Sequence, residues 1–180
     1  MKHLLMAACC LALASNALAQ QKSPASPPET TTATIAGKTV TINYSSPGVK
    51  GREGKIFSKD GLISHDQHYP VWRAGANSAT ALHTDGDLMI GSVAVPAGDY
   101  TLFVDISDPD HWVLIVNKQT KEWGLKYDGS QDLGKTAMHM SKPATMVENL
   151  RWAITDLGGH KGAIVLAWED HSGSVSITAR

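Results

Sequence analysis

Residues 99–118 read DYTLFVDISDPDHWVLIVNK, and this stretch decides the fold class. In DYTLFVDI the large apolar residues recur at every second position, which places them on one face of an extended strand. The following HWVLIVNK is apolar at successive positions, as is typical of a strand that is covered on both faces. Asp108-Pro109-Asp110 lies between the two runs and has the residue types of a turn. The stretch therefore predicts two strands joined by a short connection.

The same alternation recurs along the chain. In TTATIAGKTVTINY at 31–44, apolar residues alternate with threonines on either side of a glycine, and three further runs fall within 150–177. Turn residues separate these runs, and no helical period of ten or more residues interrupts them. The sequence thus predicts an all-β protein, a single-domain β-sandwich of two mainly antiparallel sheets with roughly eight to ten strands.

One segment departs from this pattern and is called the 45–80 loop. It is rich in glycine and weakly periodic, yet it contains apolar residues such as Ile56, Phe57 and Trp72. Loops longer than about 15 residues are usually functional or disordered. Because these apolar residues can anchor the segment, we expect a long ordered loop with a functional role.

The amino terminus, MKHLLMAACCLALASNALAQ, has the three parts of a secretory signal peptide: a basic start, an apolar run and small residues before Gln20. We expect residues 1–19 to be the signal peptide, with a lipidated start at Cys9 as the alternative. Residues 20–30 are rich in proline and are expected to be a disordered leader. The β-sandwich domain is then expected over 31–180, in the periplasm or outside the cell.

Composition narrows the choice of partners and chemistry. Cys9 and Cys10 are the only cysteines, so a chain cleaved before Gln20 has no disulfide, thiolate metal site or cysteine nucleophile. Removal of the expected signal peptide takes away Lys2, which changes the formal charge from −1 to −2, and the sequence has no cluster of basic residues. We therefore expect no nucleic-acid partner and, after signal cleavage, no membrane insertion.

Several motifs resemble a family of secreted bacterial proteins known as the domain of unknown function DUF2911. These motifs are KGREGKIF at 50–57, WRAGANSAT at 72–80, VPAGDYTLF at 95–103, WVLIVNK at 112–118 and LAWED at 166–170. The resemblance covers most of the expected mature chain and implies no assigned activity. SHDQHYP at 64–70 departs from the short Pro-Tyr-Gly turn that is usual in this family, so a role for its histidines has no support from the resemblance.

The WRAGAN motif suggests a binding site for a small molecule with an acidic or polar group. Arg73 and Arg52 offer planar guanidinium groups that bind a carboxylate or phosphate through two hydrogen bonds. Asn77 offers directional hydrogen bonds, and Trp72 an apolar wall. The structural alternative is that Arg73 pairs with an internal acid such as Glu148 and that Asn77 stabilises its own loop.

Two alternatives of other classes remain open. His65, Asp66 and His68 have the ligand types of a divalent metal site, which would fit a metal-binding protein or a metal-dependent hydrolase. A structural envelope protein without a ligand is the other alternative. The sequence has no Gly-x-Ser-x-Gly element, no P-loop and no dinucleotide fingerprint. We therefore favour binding over catalysis and predict no cofactor other than this candidate metal.

Overall fold

The computed structural model describes residues 24–121 and 123–180. Within them are thirteen strands, two short 3-10 turns and no α-helix. Seven strands form the first sheet, in the order β1-β2-β4-β7-β8-β9 with β3 paired to β7. Their bounds are β1 Pro28–Ile35, β2 Lys38–Ser45, β3 Val71–Trp72, β4 Thr80–Thr84, β7 Gly98–Asp105, β8 Val113–Asn117 and β9 Asp132–Ala137.

The second sheet has six strands in the order β11-β12-β13-β5-β6, with β10 paired to β13. Their bounds are β5 Leu88–Ile90, β6 Val93–Val95, β10 His139–Ser141, β11 Val147–Gly158, β12 Lys161–Glu169 and β13 His171–Ala179. All strand pairs in both sheets are antiparallel. The predicted all-β sandwich is confirmed, and the two sheets do not close into a barrel.

The apolar residues that alternate along the sequence are buried between the two sheets. Within β7, Leu102 and Val104 are 0% exposed, and within β12, Ile164 and Leu166 are also 0% exposed. Phe103, between two of these positions, is only 1% exposed because the other face of β7 is covered as well. The core between the sheets is therefore made of side chains at every second position, as period-two strands require.

The fold begins earlier than the sequence predicted. Pro28, Glu29 and Thr30 pair with Ser45, Tyr44 and Asn43, so β1 starts three residues before the expected domain boundary at Thr31. The backbone oxygen of Pro27 accepts a hydrogen bond from the amide of Ser46 at 2.8 Å. This segment is held by backbone hydrogen bonds rather than by buried apolar side chains. Its sequence therefore lacks the apolar alternation that predicts the other strands.

The 45–80 loop is attached to the sandwich by buried apolar side chains. Val49, Ile56 and Ala74 are 0% exposed, and Ile63 is 3% exposed. Val71 and Trp72 pair with Asp105 and Val104 as the two-residue strand β3. These contacts stabilise a segment that has little regular structure of its own.

In the described part of the chain, no helix has the length and apolarity to cross a membrane. The predicted signal peptide falls on residues 1–19, which lie outside the described residues.

Gly162→Ala tests the packing of the two sheets. A Cβ at Gly162 in β12 would lie 2.7 Å from the backbone oxygen of Thr155 and would also collide with Ile35 of the opposite sheet. Since the backbone cannot move aside cheaply, we expect a loss of about 1–3 kcal/mol in the free energy of unfolding.

Denaturant unfolding measures this loss, and Gly129→Ala is the control. A Cβ at Gly129 has the end of the Tyr127 side chain as its nearest neighbour, at 3.2 Å. Equal stabilities for the two variants would contradict the packing of β12 against Ile35.

Candidate functional site

A cleft of about 540 Å³ lies between the 45–80 loop and the turn that joins β12 to β13. The loop contributes five residues to the lining, the segment after β7 four, and the turn three. In chain order these are Gly54, Phe57, Ser58, Lys59, Tyr69, Ile106, Ser107, Pro109, Trp112, Glu169, Asp170 and His171. The cleft is thus large enough for a small molecule and is bounded by residues that are distant in the sequence.

The turn has an unusual backbone. Trp168 and His171 are paired across the hairpin, which leaves Glu169 and Asp170 as a two-residue connection. Glu169 has a φ of 55°, in the left-handed region where hairpins of this length normally place glycine, asparagine or aspartate. A side chain other than these costs about 1 kcal/mol or more in this conformation. The surrounding packing must stabilise this arrangement.

Glu169 is also buried. Its residue surface is only 4% exposed, and its Oε1 accepts a hydrogen bond from the backbone amide of Gly54 in the 45–80 loop. Burial raises the pKa of the Glu169 carboxyl above the ordinary value of 4.5, and the Gly54 amide opposes this rise. The nearby charge of Asp170 raises the pKa further. The carboxylate therefore sits where negative charge is costly and where a positive charge would stabilise it.

Aromatic rings form the floor beside Glu169. The His171 ring lies parallel to Trp112, with 5.5 Å between the centroids and 2° between the planes. Phe57 packs against both rings, at 4.5 Å from His171 and 5.1 Å from Trp112. Phe57 also contacts Trp72 and Trp168, at 5.7 and 5.8 Å. This cluster fixes the orientation of the histidine ring.

Glu169, Asp170 and His171 offer three ligand atoms that lie within 4.8 Å of one another. Among the described residues, this is the one group of three or more His, Cys, Asp or Glu side chains that meets this spacing. Asp170 is 46% exposed and lies 3.5 Å from the ammonium group of Lys142. The turn thus combines a buried and an exposed carboxylate with one imidazole.

The two arginines of the sequence prediction do not share a site. Arg52 donates hydrogen bonds to the backbone oxygens of Val49 and Gly48, at 2.8 and 2.7 Å, and so stabilises its own loop. Arg73 lies 3.7 Å from Asp66, rather than pairing with Glu148, and its side chain is 17% exposed. Arg73 lines a separate cavity of about 110 Å³, to which Arg52 does not contribute.

Trp72 and Asn77 also have surroundings that differ from the prediction. Trp72 is 2% exposed and stacks on Trp168 at 6.0 Å, so it belongs to the core and only borders the small Arg73 cavity. Asn77 is exposed with a φ of 59°, and its backbone oxygen accepts a hydrogen bond from the amide of Gly124. Ligand binding by this set of four residues stays a prediction.

The candidate metal residues of the 45–80 loop do not form one of these metal-spaced groups. Asp66 forms an ion pair with Arg73, and the ring of His68 packs edge-on to Tyr127 at 6.1 Å. His65 is exposed within a 3-10 turn over Ile63–His65. In the part of the chain that the structure describes, metal-ligand chemistry concentrates at the β12–β13 turn instead.

Sequence reasoning missed the residues of the cleft. LAWED carries part of the family resemblance, but its local sequence does not show that Glu169 and Asp170 line a cleft. A signal did exist, because two strands separated by Glu169-Asp170 form a two-residue hairpin without a glycine. That local conflict between turn type and residue type marks a place to search for function.

Comparison with known proteins adds the family but no activity. A family model described as a protein of unknown function, DUF2911, matches residues 26–177. No curated protein and no solved structure matches this chain. Since the match covers most of the chain and includes both walls of the cleft, the protein belongs to the DUF2911 family.

Proposed function

We propose that this protein is a binding protein that holds a small, positively charged ligand in the cleft between the 45–80 loop and the β12–β13 turn. The observation that carries the proposal is Glu169, a buried carboxylate in a strained turn position that lines an open cleft. Strain and burial of this kind lower stability, and they are characteristic of functional sites. A ligand cation near the carboxylate would offset the cost of its burial.

The chemistry of the lining favours a cationic group over an acidic one. Glu169 and Asp170 are neighbours at one end of the cleft, so an anion placed there would be repelled. Phe57, Tyr69 and Trp112 provide aromatic surface, which attracts cations as well as apolar groups. Lys59 also lines the cleft and can meet a polar or acidic group elsewhere on the ligand. The 45–80 loop keeps its proposed role, with a different set of residues.

The proposed setting is the periplasm or the exterior of the cell, and the support for it is the signal-peptide pattern of residues 1–19. Binding is proposed rather than catalysis because the sequence has no recognisable nucleophile motif or nucleotide-binding motif.

Three aromatic probes of similar size but different charge test the charge preference of the cleft. We expect benzylammonium to bind, benzyl alcohol to bind more weakly and benzoate not to bind in the cleft, because only the first supplies a cation to Glu169. The amide resonance of Gly54 and the indole resonance of Trp112 report binding in ¹H–¹⁵N spectra, recorded with a chelator present.

Glu169→Gln is the matched variant, because glutamine keeps the shape and the acceptor for the Gly54 amide but removes the charge. Its spectra should not respond to benzylammonium. Failure of the wild type to bind benzylammonium, or benzylammonium binding that persists in Glu169→Gln, would contradict the proposal. Benzoate binding that is lost in Arg73→Lys would instead support the predicted arginine site.

The stability of Glu169→Gln should depend on pH in a defined direction. Because the folded state raises the pKa of Glu169, it binds the proton more tightly than the unfolded state does. The contribution of Glu169 to the free energy of unfolding is therefore greatest below pH 4.5 and is lost as the pH rises through the folded-state pKa. We expect Glu169→Gln to be more stable than the wild type at pH 7, with the difference shrinking towards pH 4.

Denaturant unfolding from pH 4 to pH 8 measures this difference. Asp60→Asn serves as the control, because Asp60 is an exposed carboxylate outside the cleft lining. A Glu169→Gln variant that is less stable than the wild type at pH 7, or a difference that does not change with pH, would contradict the burial of a charged Glu169.

A further inference from the structure

We propose that the cation held at the β12–β13 turn is a divalent metal ion, with Glu169, Asp170 and His171 as its protein ligands. This inference rests on the proposed cation-binding role of the cleft and names the chemical class of the cation. It moves metal binding from the predicted loop residues His65, Asp66 and His68 to three consecutive residues of the hairpin.

The imidazole of His171 gives the first observation. Its Nδ1 is fully buried and has no hydrogen-bond partner. The Oδ1 of Asp170 is 2.7 Å away, yet it lies outside hydrogen-bonding geometry for the ring nitrogen. The ring nitrogen and the carboxylate oxygen are therefore close together without a hydrogen bond between them, and a cation beside both atoms would stabilise this arrangement. For metal–ligand distances of about 2.1 Å, adjacent ligands of one ion are about 3 Å apart at 90° and about 3.4 Å apart in a tetrahedron, so a small outward movement of the Asp170 carboxylate would let both atoms bind one ion.

Glu169 gives the second, independent observation. It is 4% exposed and lines the cleft, and its hydrogen bond to Gly54 uses only the Oε1 atom. A buried carboxylate with one oxygen fixed by a backbone amide resembles the arrangement of metal ligands whose orientation is set by outer hydrogen bonds. Stacking on Trp112 fixes the orientation of the His171 ring. Both groups are therefore oriented before an ion binds.

The donor set indicates which ion. One imidazole nitrogen and two carboxylate oxygens suit Zn²⁺, Mn²⁺ or Fe²⁺, whereas Ca²⁺ and Mg²⁺ prefer oxygen ligands alone. Three protein ligands leave at least one coordination position for water or for a ligand in the cleft. Among Zn²⁺, Mn²⁺ and Ca²⁺, we expect Zn²⁺ to bind most tightly, and Zn²⁺ is therefore the ion used as the probe.

Isothermal titration of the chelator-treated, purified protein with ZnCl₂ tests the inference. We expect about one ion per chain, bound at least tenfold more tightly than in Glu169→Gln or His171→Phe. Phenylalanine keeps a ring that can stack on Trp112 while removing the nitrogen. Asp170→Asn changes an exposed side chain, so we expect this variant to fold as the wild type does and to bind Zn²⁺ more weakly. His65→Ala with His68→Ala should bind Zn²⁺ as the wild type does.

The outcomes separate the two proposals. Absence of Zn²⁺ binding, or binding that only the His65→Ala, His68→Ala variant weakens, overturns the metal site. If Zn²⁺ does not bind but benzylammonium binds the chelator-treated protein, and this binding requires Glu169, the proposed binding of a cationic ligand stands and only the metal site is overturned. If neither cation binds in the cleft, both proposals fail. Far-ultraviolet circular dichroism of each variant is the control that distinguishes a loss of binding from a loss of folding.

Discussion

The contact between the Glu169 carboxylate and the Gly54 amide joins the two walls of the cleft. One partner belongs to a hairpin turn of the second sheet, and the other to the 45–80 loop, 115 residues earlier in the chain. Because Glu169 is buried and its backbone is left-handed, this turn is less stable than a glycine turn would be. The hydrogen bond to Gly54 offsets part of that cost and positions the loop above the aromatic cluster.

Phe57 shows how an irregular loop becomes part of a defined site. Its ring contacts Trp72, Trp112, Trp168 and His171, so a single loop residue touches side chains from β3, β12, β13 and the segment before β8. Aromatic pairs at these distances add stability beyond their buried area. The loop therefore needs little secondary structure, and the rings that fix it also fix the His171 side chain beside the two carboxylates.

The strands were predictable, because a strand with one buried face has apolar residues at every second position of its sequence. Residues such as Leu102, Val104, Ile164 and Leu166 alternate with their neighbours and are buried as that pattern requires. The site was not predictable in the same way, since its walls meet only through tertiary contacts. Arg73 looked like a ligand-binding residue from its neighbours in sequence, but its partner Asp66 is set by the path of the loop. The one local signal was the missing glycine at the Glu169-Asp170 turn.

A ¹³C titration of the Glu169 side-chain carboxyl measures the central claim most directly. If the cleft is built to receive a cation, the pKa of Glu169 in the free protein lies above 4.5, because burial disfavours its charge. Addition of Zn²⁺ or benzylammonium should then lower that pKa, since a bound positive charge stabilises the carboxylate. A pKa at or below 4.5 in the free protein, or one that neither cation changes, would contradict a cation-binding role for this cleft.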